Sequence, residues 1–372
     1  MRVLLTGGGT AGHINPALAI AEIIRANEPG SVIEFVGIEG GKEEDLVPRE
    51  GYPLRFVRSM GIERSLSPRA IKALFVALYS PKAKQTQKIL DDFAPDLVIG
   101  TGGFTCWPIM AAAAKRGIPT ALHESNALPG LAVRMLQRRV DRIWTNFEKS
   151  TDYLSKKAPI LRVGNPLRGG FEAVSREAAR ARLGLSDRQT LILSFGGSLG
   201  AEEINRAAVS MMKEFSAKHP DVIHLHAAGS KKIDETRARY DELGLGAAPN
   251  CILTDYIYDM PMQMAAADLV ICRAGAMTLS ELARMKKNAI LIPSPNVTDN
   301  HQYVNAKTLS DAGAAVLVEE HTLSAGALRA EAEKLLTDPV RRRHMGDSIG
   351  RFADVDTNRL IWEDVQRLLG RK

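Results

Sequence analysis

Two glycine-rich loops stand at matching places in the two halves of this 372-residue chain, and few folds accommodate both. The first, Gly8-Gly9-Thr10-Ala11-Gly12-His13, follows the apolar run Val3-Leu4-Leu5. The second, Gly196-Gly197-Ser198-Leu199-Gly200, follows Thr190-Leu191-Ile192-Leu193. Each leads into helix-forming sequence, 16–24 and 201–212. A buried strand, a glycine turn and a helix N-terminus together aim N–H groups and a positive dipole end at an anion. Recurrence of Gly-Gly-Thr/Ser-x-Gly predicts two doubly wound α/β domains facing each other across a cleft. Two such loops suit a diphosphate-bearing donor and an acceptor that also carries phosphate.

The rest of the chain keeps the same rhythm. Strand-like runs are expected at 32–36, 96–100, 120–123, 142–145 and 160–163, then at 191–195, 222–227, 252–254, 269–272, 289–292 and 315–318. Val/Ile/Leu runs without polar alternation read as strands buried on both faces, hence parallel sheets covered by helices. The length suits two domains, each with its own core. The breaker cluster Gly164-Asn165-Pro166 is the expected linker. It divides an N-terminal domain, 1–163, from a C-terminal domain, 164–350, with a last amphipathic helix, about 351–372, packing back on the first.

The net charge of +6 is unevenly placed. Residues 1–163 hold 22 Lys and Arg against 16 Asp and Glu, whereas residues 164–372 hold 27 of each. Between 55 and 88 lie eight basic residues against Glu63 alone, a surface for an anionic partner or else a solvated helix face. Within it Ile71, Leu74, Phe75 and Leu78 fall on one helical face, interleaved with Arg69 and Lys72 and followed by Lys82. This face is expected either to dock on an anionic membrane or to pack on the domain core. Three scattered cysteines, Cys106, Cys251 and Cys272, form no disulfide framework and no zinc pattern, which points to a reducing compartment. Met1-Arg2 leads straight into a strand, so no signal peptide is expected. No apolar stretch approaches the ~20 residues of a spanning helix.

Several motifs carry chemistry. Gly7, Gly9 and Gly12 also satisfy Gly-x-Gly-x-x-Gly, the dinucleotide fingerprint, but the second strand ends Phe35-Val36-Gly37 without the acid that would hold a ribose. A nicotinamide-dependent oxidoreductase is therefore disfavoured. His13 places an imidazole at the mouth of the loop, where it can cap the turn or exchange a proton with a hydroxyl. Glu124 and Asn126, in His123-Glu124-Ser125-Asn126, follow a strand and point to the carboxyl edge where open α/β sheets put their sites. For Glu124 a helix cap or ion pair is the competing reading. Arg168 offers a fork for a diphosphate or a hinge salt bridge. In Arg273-Ala274-Gly275-Ala276-Met277-Thr278-Leu279-Ser280-Glu281, the N–H groups of Ala276, Met277 and Thr278 face an anion, and Glu281 reads as an acceptor for ribose hydroxyls or as a helix cap. Gln302 is a further donor to sugar hydroxyls. His224 and His226 share a strand face, but nothing nearby completes a metal set, so they read as structural.

These elements, in this order and over essentially the whole chain, resemble the MurG family of bacterial UDP-N-acetylglucosamine transferases, which convert lipid I to lipid II in peptidoglycan synthesis. The resemblance rests on the His13 loop, 123–126, 164–168, 196–201, Asp255-Tyr256-Ile257, 275–281 and 302–305. It implies a GT-B fold: two Rossmann-like, doubly wound parallel-sheet domains with the site between them. The donor contacts it implies are Thr10, Ala11, Gly12, Asn126, Arg168, Ser198, Ile257, Ala276, Met277, Thr278, Leu279, Ser280, Glu281 and Gln302. In that set Ile257 reads uracil, Glu281 holds the ribose, Ser198 and Arg168 meet the diphosphate, and Gln302 reads the sugar. Ala11 stands where glycine is usual, Ser125 where Gln is usual, and His301 where the first of two glutamines is usual.

The expected activity is an inverting transfer of GlcNAc from UDP-GlcNAc to lipid I, with His13 favoured over Glu124 as the base. No Asp-x-Asp motif stands at a strand end, so this reading requires neither metal nor other cofactor. The implied partners are UDP-GlcNAc, the undecaprenyl-diphosphate-linked acceptor and an anionic membrane surface rather than nucleic acid. The implied location is peripheral, on the cytoplasmic face of the bacterial inner membrane. A UDP-GlcNAc 2-epimerase, sharing fold and donor, and another UDP-sugar-dependent lipid glycosyltransferase are the alternatives.

Overall fold

The computed structural model describes residues 1–59, 79–171 and 174–371. They form two compact units, Met1–Arg168 with Val355–Lys372, and Gly169–Asp354. In the first unit seven strands, β1 (Arg2–Thr6), β2 (Val32–Gly37), β3 (Leu54–Phe56), β4 (Leu97–Gly100), β5 (Thr120–Glu124), β6 (Arg142–Thr145) and β7 (Ile160–Arg162), run in the order β3-β2-β1-β4-β5-β6-β7. Every pairing is parallel. Val3, Leu4, Leu5, Val98 and Ile99 are fully enclosed, as their unbroken apolar runs require. The order reverses between β1 and β4, so the segments that leave their carboxyl ends open a crevice at the switch point.

The first helix spans Ala11–Asn27 and so begins at the glycine loop, five residues before the expected start. Pro16 lies inside it, and its missing N–H leaves the carbonyl of Gly12 without a helical partner. The helix Thr357–Leu368 belongs to this unit. Ile361 and Val365 join the cluster of Val3, Leu5 and Trp144. Asp364, fully buried between them, accepts from Arg142 Nε at 2.9 Å and from Trp144 Nε1 at 2.8 Å. These bonds tie the last helix to the middle of β6.

The second unit repeats the plan with β8 (Thr190–Phe195), β9 (Val222–Ala227), β10 (Cys251–Thr254), β11 (Leu269–Cys272), β12 (Ala289–Leu291) and β13 (Val316–Leu317), ordered β10-β9-β8-β11-β12-β13 and again all parallel. Its switch point lies between β8 and β11.

His224 and His226 thread a polar chain through this core. Asn205 Nδ2 donates to the carbonyl of Ala228 at 2.9 Å, so Asn205 Oδ1 accepts from His226 Nε2 at 3.1 Å. His226 Nδ1 lies 2.8 Å from Ser194 Oγ and 3.1 Å from the Ser194 carbonyl, Ser194 Oγ lies 2.9 Å from His224 Nε2, and His224 Nδ1 lies 3.2 Å from Ser216 Oγ. Each ring carries one proton and uses both nitrogens. Burial pushes His224 down to about 3 and His226 to about 4, so both stay neutral at neutral pH. Ser194→Ala removes the hydroxyl both rings share, so two buried ring nitrogens lose that partner. Urea unfolding of the variant should show a loss of about 2–4 kcal/mol; a loss below about 0.5 kcal/mol would mean the chain is not closed as described.

Candidate active site

In the first unit the loops leaving β1 and β4 grip the His13 ring. Thr101 Oγ1 donates to the carbonyl of His13 at 2.7 Å, which fixes the start of the helix against the β4 loop. His13 Nδ1 lies 3.2 Å from the carbonyl of Gly8 and 3.3 Å from Thr10 Oγ1. A carbonyl only accepts, so the Gly8 contact needs the proton on Nδ1, which makes Nε2 the basic nitrogen. Gly102 and Gly103, both at positive φ, make room for this. A Cβ at Gly102 would stand 3.0 Å from the ring, and one at Gly103 would stand 2.5 Å from the Gly8 carbonyl. The paired glycines after β4 are thus explained by the imidazole they face.

Thr10, Ala11 and Gly12 form the uncapped N-terminus of the first helix, and its first turn holds no acidic residue. A bound anion would meet free-standing N–H groups there, with no acid of the helix's own first turn to compete. Glu124 is placed differently from a base that awaits a substrate. Its Oε1 accepts from the N–H and the side-chain amide of Asn126, at 2.8 and 3.1 Å, and its Oε2 from the N–H of Gly130 at 2.8 Å. The carboxylate holds the turn that leads into the helix Leu131–Leu136, and it orients Asn126. Burial raises its affinity for a proton. Arg168 shares its fork between Glu50, at 3.0 and 2.6 Å, and Glu22, at 2.8 Å. Among the two readings of this residue, the salt bridge is the one these atoms make.

In the second unit the loop after β11 opens the helix Ala276–Arg284, with no side-chain cap and no acid in its first turn. The helix after β8, Glu202–Glu214, instead begins with Glu202 and Glu203. Two carboxylates at that N-terminus offset its dipole, so the stronger anion site of this unit is the one after β11. Ser198 is exposed on the β8 loop, and its carbonyl accepts from the N–H and hydroxyl of Ser230, both at 3.1 Å. Ile257 is buried after β10. Leu279 and Ser280 face inward, Ser280 Oγ donating to the Ala276 carbonyl at 3.1 Å, while Met277 and Thr278 are half-buried.

Glu281 keeps a partly exposed side chain, but its carboxylate lies deep, and burial raises it to about 7. Gln302 Oε1 accepts from the Ser294 N–H at 2.9 Å, which turns its Nε2 donor outward from that bond. His301, next to it, donates from Nδ1 to the Thr298 carbonyl at 2.8 Å. Asp299 and Asn300 before it are both left-handed, at φ 54° and 51°, a strained pair at the entrance to this helix.

Two side chains take parts in the site that the sequence does not mark. Arg273 donates to the carbonyls of Ile292 and Pro293, both at 3.2 Å, and pairs with Glu320, so it staples the loops after β11 and β12 to the segment after β13. Glu43 fills the space under the first glycine loop, where its carboxylate accepts from the Gly9 N–H. No periodicity or spacing marks either one.

Of the expected docking residues, Arg69, Ile71, Lys72, Leu74, Phe75 and Leu78 lie outside the described residues, and Lys82 is exposed. The basic excess of this region is smaller than its count, because Arg55 pairs with Glu34. A groove of about 660 Å³ beside it includes Lys82, Trp107, Lys115 and Arg139 in its lining. Trp107 is mostly core, with the Arg139 guanidinium 5.3 Å over its ring.

Two all-parallel Rossmann-like units, each with glycine turns and uncapped helix ends at its switch point, are the two halves of the GT-B fold that a large class of glycosyltransferases uses. The sequence model of the glycosyltransferase family 28 N-terminal domain matches residues 3–145, and that of the C-terminal domain matches residues 191–358. A protein of Acetivibrio thermocellus named UDP-N-acetylglucosamine–N-acetylmuramyl-(pentapeptide) pyrophosphoryl-undecaprenol N-acetylglucosamine transferase is 39% identical across 100% of this chain and 99% of its own. The crystal structure of Acinetobacter baumannii MurG, 25% identical, superposes with a TM-score of 0.77 over 98% of this chain and 99% of that one. Staphylococcus aureus MnaA with UDP, 12% identical over 100% of this chain and 97% of its own, shares the fold with a TM-score of 0.70. The chain belongs to glycosyltransferase family 28 and, within it, to the MurG family of N-acetylglucosamine transferases.

Proposed function

We propose that this chain moves N-acetylglucosamine from UDP-GlcNAc to the 4-hydroxyl of an N-acetylmuramoyl-pentapeptide on undecaprenyl diphosphate, with inversion at the anomeric carbon. The observation that carries the reading is the His13 ring, held at the first switch point with Nδ1 on a carbonyl, in a chain 39% identical to a transferase so named. The acceptor hydroxyl gives its proton to His13 Nε2 as its oxygen bonds to the anomeric carbon. The bond from that carbon to the diphosphate breaks, and UDP leaves with the electron pair.

The second unit supplies the donor site. Ile257 meets the base, Glu281 the ribose, Ser198 and the N–H groups of Ala276, Met277 and Thr278 the diphosphate, and Gln302 the sugar, with Leu279 and Ser280 holding that helix in place. Thr10, Ala11, Gly12 and Asn126 contribute from the first unit. Arg168 joins them only by exchanging Glu50 for phosphate. Negative charge growing on the leaving diphosphate is met by helix N-termini that are already oriented. UDP-GlcNAc is the only small molecule the reaction requires.

The acceptor's polyprenyl tail keeps the reaction at a membrane, and no helix of the described residues is long and apolar enough to cross one. We read the basic groove at Lys82 and Lys115 as part of the face that meets anionic lipid, each basic residue adding about 1 kcal/mol. The location that follows is peripheral, on the cytoplasmic face of the bacterial inner membrane. One assay tests both parts: UDP release with the lipid-linked acceptor in anionic vesicles, against a short-chain soluble acceptor. Turnover is expected on both. Lys82→Glu with Lys115→Glu should lower it several-fold on vesicles alone, most strongly at low salt. No UDP release on either acceptor refutes the activity, and an equal effect of the charge reversal on both refutes the docking face.

A further inference from the structure

We propose that Glu43 is a positioning residue for His13, acting through the peptide group that joins Gly8 to Gly9. The inference rests on the reading of His13 as the base. The two ends of that one peptide group are both engaged. Its N–H, on Gly9, donates to Glu43 Oε2 at 3.1 Å, and its carbonyl, on Gly8, accepts from His13 Nδ1 at 3.2 Å. Carboxylate, peptide and imidazole therefore form a continuous line of hydrogen bonds. Glu43 Oε1 accepts from the Ile38 N–H at 3.0 Å, which anchors the far end to the loop after β2.

The site is built for a carboxylate. Glu43 is only 1% exposed, and its oxygens accept from these two backbone N–H groups and from no cation among the described residues. Burying a carboxylate without a cation carries a desolvation cost that these two N–H bonds must offset, so Glu43 is not a group that packing alone would place here. Three glycines enclose it: a Cβ at Gly8, Gly37 or Gly41 would come within 3.0 Å of its side chain. The Gly9 N–H, which a phosphate-type loop would offer to a ligand, is committed to this internal anion. Ligand phosphate is left with the helix N-terminus at Thr10, Ala11 and Gly12.

The consequence is electrostatic. A carboxylate accepting from the Gly9 N–H polarises the peptide and makes the Gly8 oxygen a stronger acceptor. That holds the proton on His13 Nδ1, keeps Nε2 as the basic nitrogen, and stabilises the imidazolium formed when Nε2 takes the acceptor's proton. The logic is that of an orienting carboxylate behind a histidine base, with a peptide group in between.

Glu43→Gln keeps the shape and removes the charge. In that variant kcat should fall about ten-fold with KM for UDP-GlcNAc unchanged, and the acidic limb of the kcat/KM profile should move to lower pH as His13 becomes less basic. In a His13→Gln background the same substitution should cost nothing further. Equal losses in both backgrounds, or an unmoved pH profile, would show a merely structural role and overturn the inference. Should His13→Gln itself keep near-wild-type turnover, both this inference and the base assignment fall, whereas additive losses sink this one alone. On the wild-type protein, nitrogen-15 NMR of His13 should report the Nδ1–H tautomer, and an Nε2–H tautomer overturns the inference whatever the variants do.

Discussion

His13→Ala should lower turnover by about a hundred- to ten-thousand-fold, the range expected when a general base is removed. Affinity for UDP should stay within a few-fold, because the proposed uridine and ribose contacts belong to the second unit. The expectation follows from geometry more than from residue type. The ring is fixed by the Gly8 carbonyl and packed on the Gly102-Gly103 turn, so its basic nitrogen has a set direction. Glu124 has no comparable freedom, with both oxygens accepting from N–H groups of its own turn. Steady-state UDP release and UDP titration on the same variant separate the two quantities. Turnover within a few-fold of wild type, with donor binding intact, would remove His13 from the role of base.

The parts of the fold written in local apolar runs are legible in the sequence alone. β6, β9 and β11 coincide with the expected 142–145, 222–227 and 269–272. What escaped was the weakly patterned edge. β3 is three half-buried residues with Arg55 at its centre, too short and too polar to stand out from a loop. Pro16 reads as a helix N-terminus and sets the expected start there, whereas in the structure the preceding turn is already wound.

The site divided in the same way. Glycine loops and the helix after β11 are contiguous in sequence and could be read. Arg168, by contrast, finds its carboxylates 146 and 118 residues away, at Glu22 and Glu50. Glu43 sits in an acidic run with Glu44 and Asp45 that reads as an ordinary helix start, and only the packing of Gly8, Gly37 and Gly41 around it reveals a buried role. The two glycine loops, equivalent in sequence, are unequal in charge. Glu202 and Glu203 compensate the helix after the second loop, while the helix after the first has no acid in its first turn. One-dimensional motifs do not carry that difference, because it depends on which groups already answer the dipole.

Glu281 should make donor binding pH-dependent, with a sign fixed by its surroundings. In the free protein burial raises its carboxyl to about 7, and the buried Cys272 nearby offers no positive charge to counter this. Ribose hydroxyls that donate to the carboxylate favour its ionised form, so binding draws the group below its free value. Affinity for UDP-GlcNAc should therefore be full above about pH 8 and fall as pH drops through 7, about ten-fold weaker by pH 6. UDP-GlcNAc is the suitable ligand because its diphosphate, esterified at both ends, lacks the terminal phosphate proton that titrates near pH 6. Glu281→Gln should bind about ten-fold more weakly at pH 8 and lose the slope. Glu281→Ala should cost about 1.5–3 kcal/mol, roughly ten- to a hundred-fold, and should no longer distinguish UDP from 2′-deoxy-UDP as the wild type does. Calorimetric titrations at pH 6, 7 and 8 measure all three proteins on one scale. A slope that persists in Glu281→Gln would assign the titration to another group, and equal discrimination by wild type and alanine variant would take the ribose away from Glu281.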